Sequence, residues 1–185
     1  GYGGSCFPKD TKALSWLASF NDKEIRTVKA AIEVNDNQKL KLIKKAKKYY
    51  DDFLFLNVAV LGCTFKPGTD DLREAPSLVN VPFLLEDGAH VRVWDPVGTE
   101  NFKKKIPNEK IQYCNTIEEA IKDADICFIF TEWEDVKTFD VGKYKQLMKK
   151  PIVLDGRNCY ALTAFEGTGI TYGSVGRPTV NDIEG

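Results

Sequence analysis

Asn57-Val58-Ala59-Val60-Leu61-Gly62-Cys63-Thr64-Phe65-Lys66-Pro67-Gly68-Thr69-Asp70-Asp71-Leu72-Arg73 is the stretch on which the fold turns. A short apolar run ends on a glycine and passes straight into a polar loop that carries proline, glycine and charge. A buried strand of an alternating β/α sheet ends in this way at its ligand-binding edge. The same alternation continues downstream. Apolar runs predict strands over Asn57 to Leu61, Val91 to Trp94, Ile111 to Tyr113, Ile126 to Phe130, Ile152 to Leu154 and Ile170 to Tyr172. Between them, Pro76-Ser77 precedes Leu78, Val81 and Leu84, with Gly88 as a stop, and Thr116-Ile117-Glu118-Glu119 has the spacing of a capping box. The expected class is α/β: a Rossmann-like, doubly wound parallel sheet over residues 53–185, with ligands at the carboxyl ends of its strands.

Upstream the periodicity is helical. Leu14, Leu17 and Ala18 share one face over residues 11–20, and Asn21-Asp22 ends that pattern. From Glu24 to Tyr50 there is neither Gly nor Pro, and Ile25, Val28, Ala31, Ile32, Leu40, Ile43 and Ala46 recur at helical spacing. One long helix is predicted, and residues 1–52 are read as a unit separate from the sheet. The lysines from Lys39 to Lys48 alternate with Leu40, Leu42, Ile43 and Ala46, which marks them as a solvated helix face. Tyr49-Tyr50 reads as packing at the helix end.

Composition narrows the function. The 185 residues are 43% hydrophobic and 29% charged, with formal net charge -1, so collagen-like, disordered and disulfide-scaffold classes are excluded. That balance gives no reason to expect nucleic acid or a membrane surface as partner. The apolar stretch Phe53 to Cys63, interrupted by Asn57, falls far short of the roughly 20 residues that span a bilayer. The N-terminus does not read as a signal peptide. The only methionine is Met148 and the chain opens on Gly1-Tyr2-Gly3-Gly4, so it is expected to be a piece of a longer protein. Five widely spaced cysteines (Cys6, Cys63, Cys114, Cys127 and Cys159) form no C-x-x-C pair; they predict reduced thiols, a cytoplasmic setting and no metal site. The single histidine, His90, is read as the first residue of a strand.

Three segments carry candidate chemistry. After the first strand only Gly62 of a G-x-G-x-x-G fingerprint is present, and the next glycine is Gly68. The loop is either surface decoration or a phosphate site built on the charges of Lys66 and Arg73. Asp155-Gly156-Arg157-Asn158 follows a predicted strand, which sends Arg157 towards the same crevice and suggests an anionic ligand such as a diphosphate. In Gly1-Tyr2-Gly3-Gly4-Ser5-Cys6-Phe7-Pro8-Lys9-Asp10 the glycines permit close approach of backbone to ligand. Cys6 lies just ahead of a helix expected to begin near Thr11, where the positive helix end and Lys9 favour thiolate. Asp10 is either the cap of that helix or a group that acts on water.

G-Y-G-G-S-C-F-P-K-D-T-K-A-L resembles the active-site cysteine segment of the UDP-glucose/GDP-mannose dehydrogenase family. G-C-T-F-K-P-G-T-D-D-L-R-E-A-P-S together with V-W-D-P is similar to that family's UDP-binding domain, and V-L-D-G-R-N to its third block. S-C-F-P-K-D points to the UDP-glucose branch. The resemblance implies oxidation of the sugar C6 alcohol to a carboxylate with two NAD in succession. It also implies a role for Cys6 as the nucleophile, through thiohemiacetal and thioester, with Asp10 assisting water. Tyr2, Gly3, Phe65, Lys66 and Arg157 would line the UDP-sugar site, and Lys9 and Arg73 would approach NAD. The family's own NAD-binding domain is not in these residues, so the chain alone is expected to bind a UDP-sugar without turnover. A homodimer through the apolar stripe from Ile25 to Ala46 is also implied. The rivals are a regulatory nucleotide-binding module, a dehydrogenase for GDP-mannose or a UDP-N-acetylhexosamine, and a purely oligomerising pair of helices.

Overall fold

A computed structural model describes residues 1–183. Helices α1 (Phe7–Phe20), α2 (Arg26–Gln38) and α3 (Lys41–Ala46) come first. Six strands follow: β1 (Asn57–Leu61), β2 (His90–Trp94), β3 (Ile111–Tyr113), β4 (Ile126–Ile129), β5 (Ile152–Asp155) and β6 (Thr171–Ser174). The helices between them are α4 (Ser77–Glu86), α5 (Thr99–Lys105), α6 (Ile117–Ile121), α7 (Glu134–Lys137) and α8 (Gly142–Leu147). The sheet is parallel throughout, in the order β3-β2-β1-β4-β5-β6, so the direction of winding reverses between β1 and β4. The expected doubly wound architecture is therefore present.

The sheet is buried on both faces because helices cover both. Val58, Val60, Val91, Val93, Phe128 and Leu154 meet Leu42, Val81, Leu84 and Phe102 on one side. Ala59, Leu61, Cys127, Ile129 and Val153 alternate with them to meet Ile121, Val136 and Tyr144 on the other. Local signals hold where packing and capping agree. Thr116 caps α6, its Oγ1 accepting from Glu119 N at 3.1 Å. Strand β2 does open on His90.

The single long helix is corrected to two. Residues between Gln38 and Lys41 turn, Leu40 has ψ 3°, and Asn80 Nδ2 donates to the freed Lys39 carbonyl at 2.9 Å. The cause is burial: Leu42, Ile43 and Ala46 pack into the core of the sheet, which a straight continuation of α2 does not reach. The C-terminal half of the stripe expected to form a dimer face is thus buried within the chain. Helix α1 also begins earlier than expected, at Phe7, so Cys6 is its N-cap residue and Asp10 lies inside its first turn rather than capping it.

The carboxylate of Asp95, just past β2, closes the switch point between β1 and β4. Its Oδ2 accepts from Cys63 N at 2.7 Å, Thr64 N at 3.2 Å, Thr64 Oγ1 at 3.3 Å and Trp133 Nε1 at 3.0 Å. Its Oδ1 accepts from Val97 N at 3.0 Å and Gly98 N at 2.6 Å. Gly62, with φ 82°, lies so near Thr131 that any Cβ would run into that side chain, while Thr131 Oγ1 donates to Thr64 O at 2.5 Å. Asp95→Ala leaves several buried donors without an acceptor. It is expected to cost about 3 kcal/mol or more in urea unfolding; a loss below about 1 kcal/mol would mean that water replaces the carboxylate.

Candidate functional site

Arg157 organises the site. Asp155, wholly buried at the end of β5, accepts from Arg157 N and from Cys159 N, each at 2.7 Å, and so sets the turn that follows the strand. The guanidinium then reaches across the sheet edge. Its Nε donates to Phe130 O at 2.8 Å and its Nη2 to Phe65 O at 2.5 Å, with Glu132 Oε2 3.1 Å from Nε. Two carbonyls thus fix the plane of the group, and its remaining N–H donors are left for a ligand.

A cavity of about 60 Å³ opens beside it, with Tyr2, Gly3, Asn35, Lys39, Phe65 and Arg157 in its wall. Four of the five expected substrate residues therefore meet at one place, although Tyr2 and Arg157 lie at opposite ends of the chain. Lys66 is exposed and outside this lining; the cations found with Arg157 are Lys39 and Lys41.

The segment from Gly1 to Cys6 runs as a strap, with Gly1 to Gly3 in the wall of this cavity and Gly4 and Ser5 facing a second opening. The amide of Asn35 takes Tyr2 N–H at 2.6 Å and donates to Tyr2 O at 3.0 Å. Gly3 lies against Phe65, where a Cβ would stand 2.7 Å from the ring. Gly4 N donates to Arg73 O at 3.0 Å. Cys6 follows, exposed at the start of α1, with Ser5 Oγ 3.6 Å from its sulfur. Asp10 is one turn further on, its N–H donating to Cys6 O at 2.9 Å, which puts both side chains on one helix face.

Beyond the strap is a wider cleft of about 860 Å³ that both expected cofactor residues line, Lys9 and Arg73, together with Lys12, Lys104 and Lys105. Arg73 is clasped by Asp71, Nε to Oδ1 at 2.9 Å and Nη2 to Oδ2 at 2.8 Å, and this pairing holds the Asp71 carboxyl below the usual carboxylate range. Glu74 separates the two openings and is the one residue that lines both. It binds Lys39 on one side and Lys12 at 3.4 Å on the other, and the hydrogen bond from Lys39 is the main cause that lowers its pKa.

The sequence does not single out Asn35 or Glu74, and its reading of Lys39 as part of a solvated face is corrected: the Lys39 side chain is 13% exposed, turned in to Glu74. Asn35 had a signal, a polar residue on the inner side of a helix, but nothing in the spacing shows what it faces. The other thiols are set apart by burial, which pushes Cys63, Cys127 and Cys159 up. Cys6 is the one exposed cysteine among the described residues.

Two measurements follow from this geometry. Iodoacetamide is expected to label one thiol of the native protein rapidly, and Cys6→Ser to remove that fast phase; a fast phase that persists in the variant would move the reactive thiol elsewhere. Because Glu74 is more acidic folded than its ordinary 4.5, its ion pairs stabilise the fold above that pH and are lost as pH falls through the folded value. Glu74→Gln is expected to cost at most about 1 kcal/mol at pH 7, since the groups are partly exposed. The cost should shrink towards zero near pH 3 in urea titrations.

The model of the UDP-glucose/GDP-mannose dehydrogenase family, UDP binding domain, matches residues 59–162, and that of the family's central domain matches residues 1–37. UDP-glucose 6-dehydrogenase YwqF of Bacillus subtilis is 43% identical over 180 residues, which are 97% of this chain and 41% of that protein. The UDP-glucose 6-dehydrogenase of Rhizobium meliloti is 41% identical over 96% of this chain and 40% of its own length. Among solved structures, a UDP-glucose dehydrogenase from Pyrobaculum islandicum superposes with TM-score 0.76 at 30% identity, over 85% of this chain and 34% of that one. The chain thus spans about two fifths of the length of the curated relatives it matches.

Proposed function

Since the chain belongs to the UDP-glucose/GDP-mannose dehydrogenase family, we propose that its protein oxidises UDP-glucose to UDP-glucuronate and that these residues supply the UDP-sugar site and the cysteine. The observation that carries this reading is the meeting of the strap that bears Cys6 with Phe65 and Arg157 at one cavity. The remaining donors of Arg157, with Lys39 nearby, suit a diphosphate. Phe65 and Tyr2 supply apolar surface, and Gly3 admits the ligand close to the backbone. Residues 53–185 are read as the UDP-binding domain and residues 1–52 as part of the central helical one.

The overall change is a four-electron oxidation of the C6 alcohol to a carboxylate, for which NAD is the proposed hydride acceptor. The switch point of this sheet does not fit a dinucleotide, because the amides of Cys63 and Thr64 already donate to Asp95. Lys9 and Arg73 in the wider cleft are the cofactor contacts proposed here. The part played by Cys6 is covalent. Its thiolate adds to the C6 aldehyde to give a thiohemiacetal; after the second oxidation the resulting thioester is hydrolysed, oxygen from water replaces sulfur, and the thiol returns. Asp10, on the same helix face, takes the proton from that water.

A homodimer is proposed through α1 rather than through the stripe of α2 and α3. Trp16 and Phe20 stack at 5.3 Å between ring centroids and are 65% and 73% exposed, with Leu17 beside them. Free thiols suit a cytoplasmic setting. Among the described residues no helix is long and apolar enough to cross a membrane.

Calorimetric titration with UDP, UDP-glucose, GDP-mannose and NAD tests the reading. Binding selective for UDP and UDP-glucose is expected, weakened about tenfold or more by Arg157→Ala, as loss of charge-assisted hydrogen bonds requires. NAD as the only ligand would overturn the site, and a preference for GDP-mannose would move the sugar nucleotide to another branch.

A further inference from the structure

Asn35 is the one buried residue of α2, 5% exposed in a helix whose other side chains are solvated or half-buried. Asparagine is a weak helix former, and a buried amide is costly unless it is paired. Here both its oxygen and its nitrogen are paired with one residue of another segment, accepting from Tyr2 N–H and donating to Tyr2 O. This is the exchange that a neighbouring β-strand would make, supplied by a side chain. An apolar residue at this position would orphan both backbone groups of Tyr2. The next restraints along the strap are the bond from Gly4 N to Arg73 O and the contact of Gly3 with Phe65, and the strap then enters α1 at Cys6.

We propose that Asn35 is a positioning residue for Cys6: from the wall of the Arg157 cavity it fixes the strap at Tyr2 and so sets where the thiol stands relative to a bound nucleotide sugar. The inference rests on the reading of Cys6 and Arg157 given above. Asn35 does no chemistry of its own. It decides whether a ligand held by Arg157 and Phe65 is also beside the sulfur, and a misplacement of about 1 Å at such a site costs on the order of a hundredfold in rate.

Two measurements on the 185-residue chain separate the clamp from the site. Without ligand, amide hydrogen exchange at Tyr2 and Gly4 is expected to accelerate about tenfold or more in Asn35→Ala, as loss of the local restraint requires. Asn35→Asp, which keeps the acceptor for Tyr2 N–H but not the donor, should fall between. With saturating UDP-glucose, alkylation of Cys6 by iodoacetamide is expected to slow in the parent chain and to stay unslowed in Asn35→Ala while UDP still binds. Thr116→Ala, which removes the cap of α6, controls for general loss of stability and should retain the shielding. Unchanged exchange in Asn35→Ala would overturn the inference, as would shielding lost equally in the Thr116 variant. Accelerated exchange in a protein whose Cys6 is never shielded would leave the clamp standing and remove its bearing on ligand, and with that the positioning role and the site reading together.

Discussion

One buried carboxylate holds the carboxyl edge of this sheet in place. Asp95 gathers donors from the loops after β1, β2 and β4, which belong to segments that approach one another only through the sheet. Taking a carboxylate out of water is costly, and it is offset here because backbone and indole N–H groups replace the lost hydration. The consequence reaches beyond stability. Where other doubly wound sheets leave amides free for a pyrophosphate, this one has spent them internally. The cavity at Arg157 lies to one side of the switch point, where the same loop offers the Phe65 carbonyl to Arg157.

Asp155 repeats the device at the end of β5. It too ends a strand, is fully buried and accepts amides from the turn that follows; it also receives Tyr172 Oη at 2.7 Å, which in turn accepts from Arg177 Nη2 at 3.0 Å. Arg157 thus inherits its position from a turn made rigid at its root, and then uses two backbone carbonyls as a second frame. A cation on a free surface loop would give charge without orientation. This one has both, because Phe130 O and Phe65 O fix the plane of its guanidinium.

Sequence alone reveals those parts of the molecule whose causes are local. Strand positions follow from short apolar runs bounded by turns, and they agree with the structure to within a residue or two. The capping box at Thr116 is local as well. The break between α2 and α3 is not, because nothing within residues 24–50 interrupts a helix; the demand comes from the sheet, which buries Leu42, Ile43 and Ala46. The site divides in the same way. Cys6, Phe65 and Arg157 stand out through their motifs. Asn35, Lys39 and Glu74 enter the wall through partners 33, 35 and 62 residues distant in the chain, and no pattern around them announces those partners.

The strap explains why the helical segment and the sheet must be read together. Its glycines are hemmed in on the sheet side by Phe65, and on the helical side by Asn35, so its path is set by surfaces from both. Glu74 adds charge to this arrangement: it comes from the sheet and binds Lys39 next to α2 and Lys12 of α1. The narrow cavity and the wide cleft are therefore two sides of one wall made of the strap and Glu74, and not two independent pockets. The thiol follows at the end of that wall, exposed and at the head of a helix. Each half of the chain supplies one surface of the wall, so neither half by itself defines where Cys6 stands.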